Sequence, residues 1–298
     1  MKSRVLTWIE YIPIKFILWM LNLFPYKRAV KAGAGLGKLV YHIPALKRVV
    51  IDGLNIAFPE KSKKEIKHLA KKVFINFGKT CFEIMKMLKL DAVDVLKLIE
   101  YHGKEEFIQD FSQGKGMVII CGHISNWELM AAGWTNAGIN SDVIVRPLDN
   151  VLLDKHIEGM RKKFGMKVIP RNDSVRLGIK TIKQGRALGF LMDQNTVKNP
   201  VFVPFFGKLA SAVKGPAIFA YKFKCPVGLV YSVRKSDDKH SLFYKKIDIN
   251  YEITNRDEFI KYHTAIFTQE LEQVIRDNPE QWLWLHPRWK TRPPSEKS

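Results

Sequence analysis

From Gly116 onward, short apolar and β-branched runs alternate with segments whose apolar residues recur at helical spacing. This alternation predicts an α/β fold with a mixed, largely parallel central sheet flanked by helices. The predicted strands are Met117–Cys121, Asp142–Val145, Lys167–Ile169, Leu188–Met192, Val227–Val233 and Phe243–Ile249. The predicted helices are Trp127–Ala137, Leu152–Phe164, Val175–Lys183, Gly215–Phe223 and Glu258–Arg276. Ligands bind at the carboxyl ends of strands in such sheets, so polar residues that follow a strand are the first candidates for chemistry.

The preceding segment, residues 27–110, is predicted to be mainly helical. Ser62-Lys-Lys-Glu65 has the residues of a capping box, which marks the beginning of a helix. The apolar positions that follow it keep helical spacing, namely Ile66, Leu69, Val73, Phe77, Cys81, Ile84 and Leu88. We therefore expect a long helix whose apolar stripe packs in the core.

Residues 1–26 form a predicted N-terminal membrane-anchoring helix. The segment from Val5 to Phe24 is mostly apolar and aromatic, but Glu10, Pro13 and Lys15 interrupt it. About 20 apolar residues span a bilayer, and a charge near the middle of a span is costly. Three interpretations remain: a transmembrane anchor, an amphipathic helix lying in the membrane interface, or a buried core helix.

More basic residues follow this segment than precede it, which would place the body of a membrane-spanning protein in the cytoplasm. We expect two units, the membrane helix of residues 1–26 and an α/β domain of residues 27–298. Within the second unit, residues 27–110 are mainly helical and residues 111–298 form the α/β core.

Composition narrows the class of partner. Of the 298 residues 46% are hydrophobic, enough for a sizeable core, and the formal net charge is +20. Such a charge favours an anionic partner, such as lipid headgroups, an acidic protein or nucleic acid. The sequence has no zinc-finger spacing, basic zipper or RNA-binding signature, so we expect no nucleic-acid partner. The spacing of Cys81, Cys121 and Cys225 predicts neither a metal site nor a disulfide framework.

The most informative polar residues follow the first strand of the alternating region. The run Met117–Cys121 ends in Gly122, and His123 follows at once. Glu128 comes where a helix is expected to begin, and Ser125-Asn-Trp-Glu128 has the residues of a capping box. The pattern predicts a general base, in which His123 deprotonates a hydroxyl and Glu128 orients the imidazole. The alternative is purely structural: Glu128 caps a helix and His123 ends a strand.

Three further residues are candidates for binding substrate. Asp193 follows the strand Leu188–Met192, where its carboxylate would position Arg161 or hold a loop. Arg146 follows another strand and Arg161 lies on the next helix, and a guanidinium suits bidentate binding of phosphate or carboxylate. Turn chemistry for Asp193 and a solvated surface for the arginines are the alternatives. The aromatic segment Val201–Gly207 would either wall a pocket for an alkyl chain or form a buried loop.

Taken in order, these segments resemble the lipid A biosynthesis acyltransferase family, the late lauroyl and myristoyl acyltransferases, within a lysophospholipid-acyltransferase-like superfamily. The resemblance covers most of the chain and rests on five blocks: Gly122-His-Ile-Ser-Asn-Trp-Glu128; Val145-Arg-Pro147 with Asp149-Asn150 and Leu153-Asp154; Gly189-Phe-Leu-Met-Asp-Gln194; Val203-Pro-Phe-Phe-Gly207; and Asn278–Pro293. Arg161 lies at the position of a functional arginine. The chain departs from the family after His286, where Pro287-Arg288 stands in place of two basic residues.

The resemblance implies an O-acyltransferase that needs no cofactor or metal. The family reaction moves a fatty acyl chain from acyl carrier protein or acyl-CoA to a hydroxyl of a lipid A precursor or related glycolipid. The implied location is the inner membrane, with the catalytic domain on the cytoplasmic side. An acidic carrier protein would suit the +20 charge, and acceptor phosphates would give Arg161 and Arg146 a binding role.

The implied mechanism has His123 as general base and Glu128 as its partner, with no acyl-enzyme. Asp193 would position Arg161 or its own loop. Two alternatives stay open. One is acylation of another membrane glycolipid, such as a mannosylated phosphatidylinositol, and the other is a non-catalytic lipid-binding protein of the same fold.

Overall fold

The computed structural model describes residues 4–145 and 147–296. These residues form helices and strands that alternate through most of the chain. In chain order they are α1 (Arg4–Asn22), α2 (Tyr26–Val40), α3 (Pro44–Ala57), α4 (Lys63–Met87), α5 (Ala92–Leu96), β1 (Ile99–His102), α6 (Lys104–Phe111), β2 (Met117–Cys121), α7 (Trp127–Asn136), β3 (Ser141–Val145), α8 (Val151–Lys163), β4 (Lys167–Pro170), α9 (Ser174–Lys183), β5 (Ala187–Leu191), β6 (Val201–Phe205), β7 (Lys208–Ala212), α10 (Gly215–Phe223), β8 (Val227–Arg234), β9 (His240–Ile247) and α11 (Arg256–Asp277).

Seven strands form one sheet in the order β1-β9-β8-β2-β5-β3-β4. Every neighbouring pair is parallel except the hairpin of β8 and β9. The predicted α/β fold with a mixed, largely parallel sheet is therefore confirmed. Two features were not predicted: β1 at the sheet edge, and the separate β6–β7 hairpin, which contains the aromatic segment.

The sheet is buried on both faces, as its apolar strands require. All five residues of β2 are buried, and they alternate between two cores. Val118 and Ile120 pack with α10 and α11 on one face, whereas Met117, Ile119 and Cys121 pack with α7 on the other. This arrangement leaves the loops at the carboxyl ends of the strands as the place where polar side chains meet.

β2 and β5 are adjacent and in register, with Cys121 opposite Leu191. His123 and Asp193 each come two residues after these partners. The two loops therefore leave the sheet at the same level, which places the two side chains beside one another.

α1 is a helix, as predicted, although Pro13 lies within it. One side packs on the protein through Tyr11, Leu18 and Leu21. The other side exposes large apolar residues, namely Trp8, Ile9, Ile12, Phe16, Trp19 and Met20. Within residues 4–145 and 147–296, no helix combines the length and apolar content needed to cross a membrane.

Candidate active site

His123 lies in the loop after β2, and the carboxylate of Asp193 holds it at two points. Its ring Nδ1 is 2.8 Å from Oδ1 of Asp193, and its backbone N–H donates to Oδ2 at 2.8 Å. The indole N–H of Trp282 donates to the same Oδ2 at 2.7 Å. Gly122 permits this close approach, since a Cβ there would lie 3.3 Å from the Asp193 carboxyl carbon.

The electrostatics of Asp193 fix the tautomer of the imidazole. Burial alone would raise the pKa of Asp193, but the nearby His123 and the hydrogen bonds from His123 and Trp282 outweigh burial and lower the pKa to about 2. The carboxylate is therefore ionised at neutral pH and can only accept hydrogen bonds. Nδ1 of His123 must therefore carry a proton, and in the neutral ring Nε2 keeps a free lone pair, the form that a general base needs.

Glu128 binds Arg161 rather than His123, which corrects the predicted partners. Nη2 of Arg161 lies 2.5 Å from Oε1 of Glu128, and Nε lies 3.0 Å from Oε2, so the pair is bidentate. Burial alone would lower the pKa of Arg161, but its bond to Glu128 outweighs burial and raises the pKa. Asp193 takes the ring-orienting role that was assigned to Glu128, and Glu128 takes the arginine that was assigned to Asp193.

The physical reason lies in how α7 begins. The predicted capping box at Ser125 is wrong, because Asn126 is the N-cap and its side chain accepts from the Leu129 N–H at 2.9 Å. Ser125 has φ 51°, a left-handed conformation that costs about 1–2 kcal/mol outside glycine. This turn separates His123 from α7, and Glu128 falls in the first helical turn beside α8.

A buried polar network supports the turn. The backbone of Ser125 accepts from Thr80 at 3.1 Å and donates to the Gln281 carbonyl at 2.7 Å. Asn126 donates to Glu83, which is fully buried and paired with Arg234 at 2.7 and 2.8 Å. Burial alone would raise the pKa of Glu83, but Arg234 outweighs it and lowers the pKa to about 2. α4 and β8 thereby fix the loop that carries His123.

The side chains of His123, Glu128, Arg161 and Gln194 line a single cleft of about 690 Å³. Two narrow apolar cavities of about 40 Å³ each continue from it in sequence. The first borders the cleft, and the residues common to both are Trp127, Glu128, Ile144, Val145, Arg161 and Leu191. The second adjoins the first, and the residues common to those two are Cys121, Met130, Ala131, Val143 and Gly189.

The remaining sequence candidates have different outcomes. Arg146 lies outside the described residues. Phe205 and Phe206 pack against a tryptophan cluster of Trp282, Trp284 and Trp289, so the aromatic segment is core and does not line these cavities. Cys121 lies inside β2, where burial raises its pKa, so its thiol is not an activated nucleophile.

Two residues of the site were not singled out from the sequence. Trp282 is distant along the chain and reaches the site only because its segment bridges to Ile124. Gln194 belongs to the block Gly189–Gln194, and its position directly after Asp193 indicates that its side chain shares the same strand end.

Comparison with known proteins identifies the family of the chain. The model of the bacterial lipid A biosynthesis acyltransferase family matches residues 2–291. The chain is 28% identical to a lipid A biosynthesis lauroyltransferase of Escherichia coli (strain K12), over 96% of the chain and 92% of the relative. It is 25% identical to the palmitoleoyltransferase of that strain, over 95% and 91%, and 21% identical to the myristoyltransferase, over 84% and 77%. Because the family match spans nearly the whole sequence, this chain belongs to the bacterial lipid A biosynthesis acyltransferases.

Proposed function

We propose that this protein transfers a fatty acyl chain from a carrier thioester to a hydroxyl of a lipid A precursor or related glycolipid. One observation carries the proposal: the buried, ionised carboxylate of Asp193 holds Nδ1 of His123, and His123 lines a cleft of about 690 Å³. Family membership supplies the acyl-transfer chemistry, and the names of the relatives support fatty acyl groups as cargo.

In the proposed reaction, Nε2 of His123 accepts the proton of the acceptor hydroxyl while the oxygen attacks the thioester carbonyl. Asp193 stabilises the resulting imidazolium through the Nδ1–H bond. Collapse of the tetrahedral intermediate forms the ester and breaks the C–S bond, and the departing thiolate takes the proton from Nε2. No acyl-enzyme is needed, consistent with the buried, high-pKa thiol of Cys121.

Glu128 and Arg161 take a binding role in this proposal. A guanidinium has five N–H donors, and the bidentate bond to Glu128 uses two of them. A phosphate of the acceptor or of the donor can take others. Arg146 stays a candidate for the same role. The adjoining apolar cavities suit the acyl tail, because their lining is almost entirely apolar.

The position of α1 supports access of the substrate from a membrane. The side chain of Asn150, the N-cap of α8, donates to the Thr7 carbonyl at 3.0 Å, and the Tyr11 hydroxyl lies 3.1 Å from His156. α8 also supplies Arg161 to the cleft. With its exposed aromatic side in the interface of the inner membrane, α1 would set the cleft beside its lipid substrate on the cytoplasmic side.

The test is an in vitro transfer assay with acyl carrier protein and CoA thioesters as donors and a lipid A precursor as acceptor, read by mass. A mannosylated phosphatidylinositol serves as the alternative acceptor. We expect one added acyl chain on the lipid A precursor, and a loss of at least about 100-fold in His123→Ala and Asp193→Asn. Lipid binding without transfer by the wild-type protein, or wild-type turnover in His123→Ala, would overturn the proposal.

A further inference from the structure

The side-chain amide of Gln194 lies against the catalytic nitrogen of His123. The two Nε2 atoms are 3.5 Å apart, and both residues line the cleft. Since Nδ1–H donates a hydrogen bond to Asp193, Nε2 of the neutral ring is the acceptor and the Gln194 amide is the donor. The end of β5 thus supplies both the carboxylate that holds one side of the ring and an amide that faces the other.

Hydrogen bonds to other segments hold the two residues that follow Gln194. The Asn195 N–H donates to His286 at 2.9 Å, and its side-chain oxygen accepts from Thr291 at 2.9 Å. The Thr196 N–H donates to the Ser211 hydroxyl at 3.1 Å. A donor on such a support needs little reorganisation when charge develops in the cleft, which is the requirement for transition-state stabilisation.

The backbone N–H groups of residues 123–125 already donate hydrogen bonds within the protein. The His123 N–H donates to Asp193, the Ile124 N–H to the Gly122 carbonyl at 2.9 Å, and the Ser125 N–H to the Gln281 carbonyl at 2.7 Å. These three amides would otherwise be natural donors to a tetrahedral oxyanion next to His123. The side-chain amide of Gln194, in contrast, lies 3.5 Å from the reacting nitrogen and faces the cleft.

We propose that Gln194 is a catalytic residue whose side-chain amide hydrogen-bonds the thioester oxygen as it becomes an oxyanion. This inference rests on the proposed function. When the acceptor hydroxyl donates to Nε2 of His123, it displaces the Gln194 amide from that nitrogen. The amide then lies beside the attacked carbonyl, where the C=O electron pair moves onto oxygen. Gln194 donates a hydrogen bond throughout and transfers no proton.

The test compares Gln194→Ala and the isosteric Gln194→Glu with wild type, and Gln184→Glu, an exposed glutamine on the C-terminal side of α9, is the matched control. Loss of one oxyanion donor lowers kcat about 10²- to 10³-fold. We expect that loss in both Gln194 variants, with KM changed by less than about threefold because the bond forms only in the transition state. The Gln184→Glu control should keep wild-type kcat.

A second measurement separates catalysis from support of the fold. In Q194E the introduced carboxylate would face Nε2 of His123 and favour the imidazolium, so the His123 pKa measured by NMR should rise by about one unit. A variant whose loop has rearranged, so that position 194 no longer faces Nε2, predicts no such rise. Wild-type kcat in both Gln194 variants, or an unmoved His123 pKa in Q194E, would overturn the inference alone. A wild-type protein without transfer activity would instead overturn the proposed function, and this inference with it.

Discussion

Trp282 donates its indole N–H to Oδ2 of Asp193 at 2.7 Å, so a residue near the C-terminus braces the carboxylate that orients His123. The carboxylate also accepts from the backbone of His123. These contacts of Asp193 together hold one imidazole. The orientation of the His123 ring therefore depends on the hydrogen bonds that hold the Asp193 carboxylate in place, as well as on its own bond to Asp193.

The first prediction concerns Trp282→Phe. The variant removes one hydrogen bond to a buried charge, which is worth about 1.5–3 kcal/mol. We expect a lower free energy of unfolding and a kcat lowered about tenfold, because the Asp193 carboxylate gains freedom. Trp284→Phe is the matched control, since Trp284 is equally buried and donates at 2.6 Å to the Pro279 carbonyl instead. Denaturant titrations and steady-state kinetics test both; an equal loss of kcat in the two variants would contradict the brace.

The second prediction is a loss of stability in acid. The pKa values of Asp193 and Glu83 are lowered in the folded protein to about 2, from 3.8 and 4.5. A depressed folded pKa contributes stability above the unfolded pKa, and that stability is lost as the pH falls through the folded pKa. The free energy of unfolding should therefore fall between about pH 4.5 and 2.

Denaturant titrations across this pH range provide the measurement. Asp193→Asn removes one of the groups whose pKa is lowered in the folded protein, so its stability should depend less steeply on pH than that of the wild type. Parallel pH profiles for the two proteins would contradict the assignment of Asp193.

The third prediction separates the two carboxylates of the site. Glu128→Gln leaves the largely buried Arg161 charge unpaired, and loss of one partner of a buried pair costs about 3–5 kcal/mol. Because Glu128 does not contact the imidazole, the kinetic pKa of His123 should stay unchanged. Asp193→Asn should move that pKa downward, since it removes the negative charge beside Nδ1. The pH dependence of kcat/KM measures both, and a shift in Glu128→Gln comparable to that in Asp193→Asn would restore Glu128 as the ring partner.

The pairing of His123 with Asp193, and of Glu128 with Arg161, could not be predicted from the sequence. Strand positions such as Met117–Cys121 follow from a local run of apolar residues, and the structure has that strand at the same residues. The neighbour of a strand does not follow from local pattern, and only the adjacency of β2 and β5 brings Asp193 to His123. With strand order unknown, the acid closest along the chain, Glu128, was the natural but incorrect choice.

The two capping boxes illustrate the same limit at shorter range. Ser62 and Glu65 bond each other as predicted, on an exposed helix end. Ser125 and Glu128 have the same residue types, but tertiary bonds from Thr80 and Gln281 hold Ser125 in a left-handed turn. A four-residue motif predicts the capping of a helix end that has no tertiary contacts. At the active site, the surrounding hydrogen bonds determine which residue caps the helix.

The fourth prediction concerns acyl chain length. Ala131 lines both narrow apolar cavities, so Ala131→Leu should fill the space where they adjoin. Exclusion of one or two methylenes is worth about 1–3 kcal/mol. We expect kcat/KM to fall about tenfold or more for the longest accepted donor and to stay unchanged for shorter ones. Asn136→Leu, at an exposed position of the same helix, is the control. A panel of saturated acyl donors in competition measures the ratio, and equal losses at all lengths would place the tail elsewhere.

The fifth prediction concerns the exposed side of α1. Ile12 and Trp19 are 57% and 60% exposed, and burying either side chain in a membrane interface would contribute about 1.5–3 kcal/mol. Ile12→Asp and Trp19→Asp should therefore each weaken binding to phosphatidylglycerol vesicles at least about tenfold. Val93→Asp places the same charge at a 60% exposed position on α5 and should leave binding unchanged. Co-sedimentation measures the binding, and equal losses in all three variants would show that negative charge, rather than burial of α1, controls association.

Because α1 contacts α8 through Tyr11 and His156, weaker binding should also raise the apparent KM for a vesicle-embedded acceptor without changing kcat.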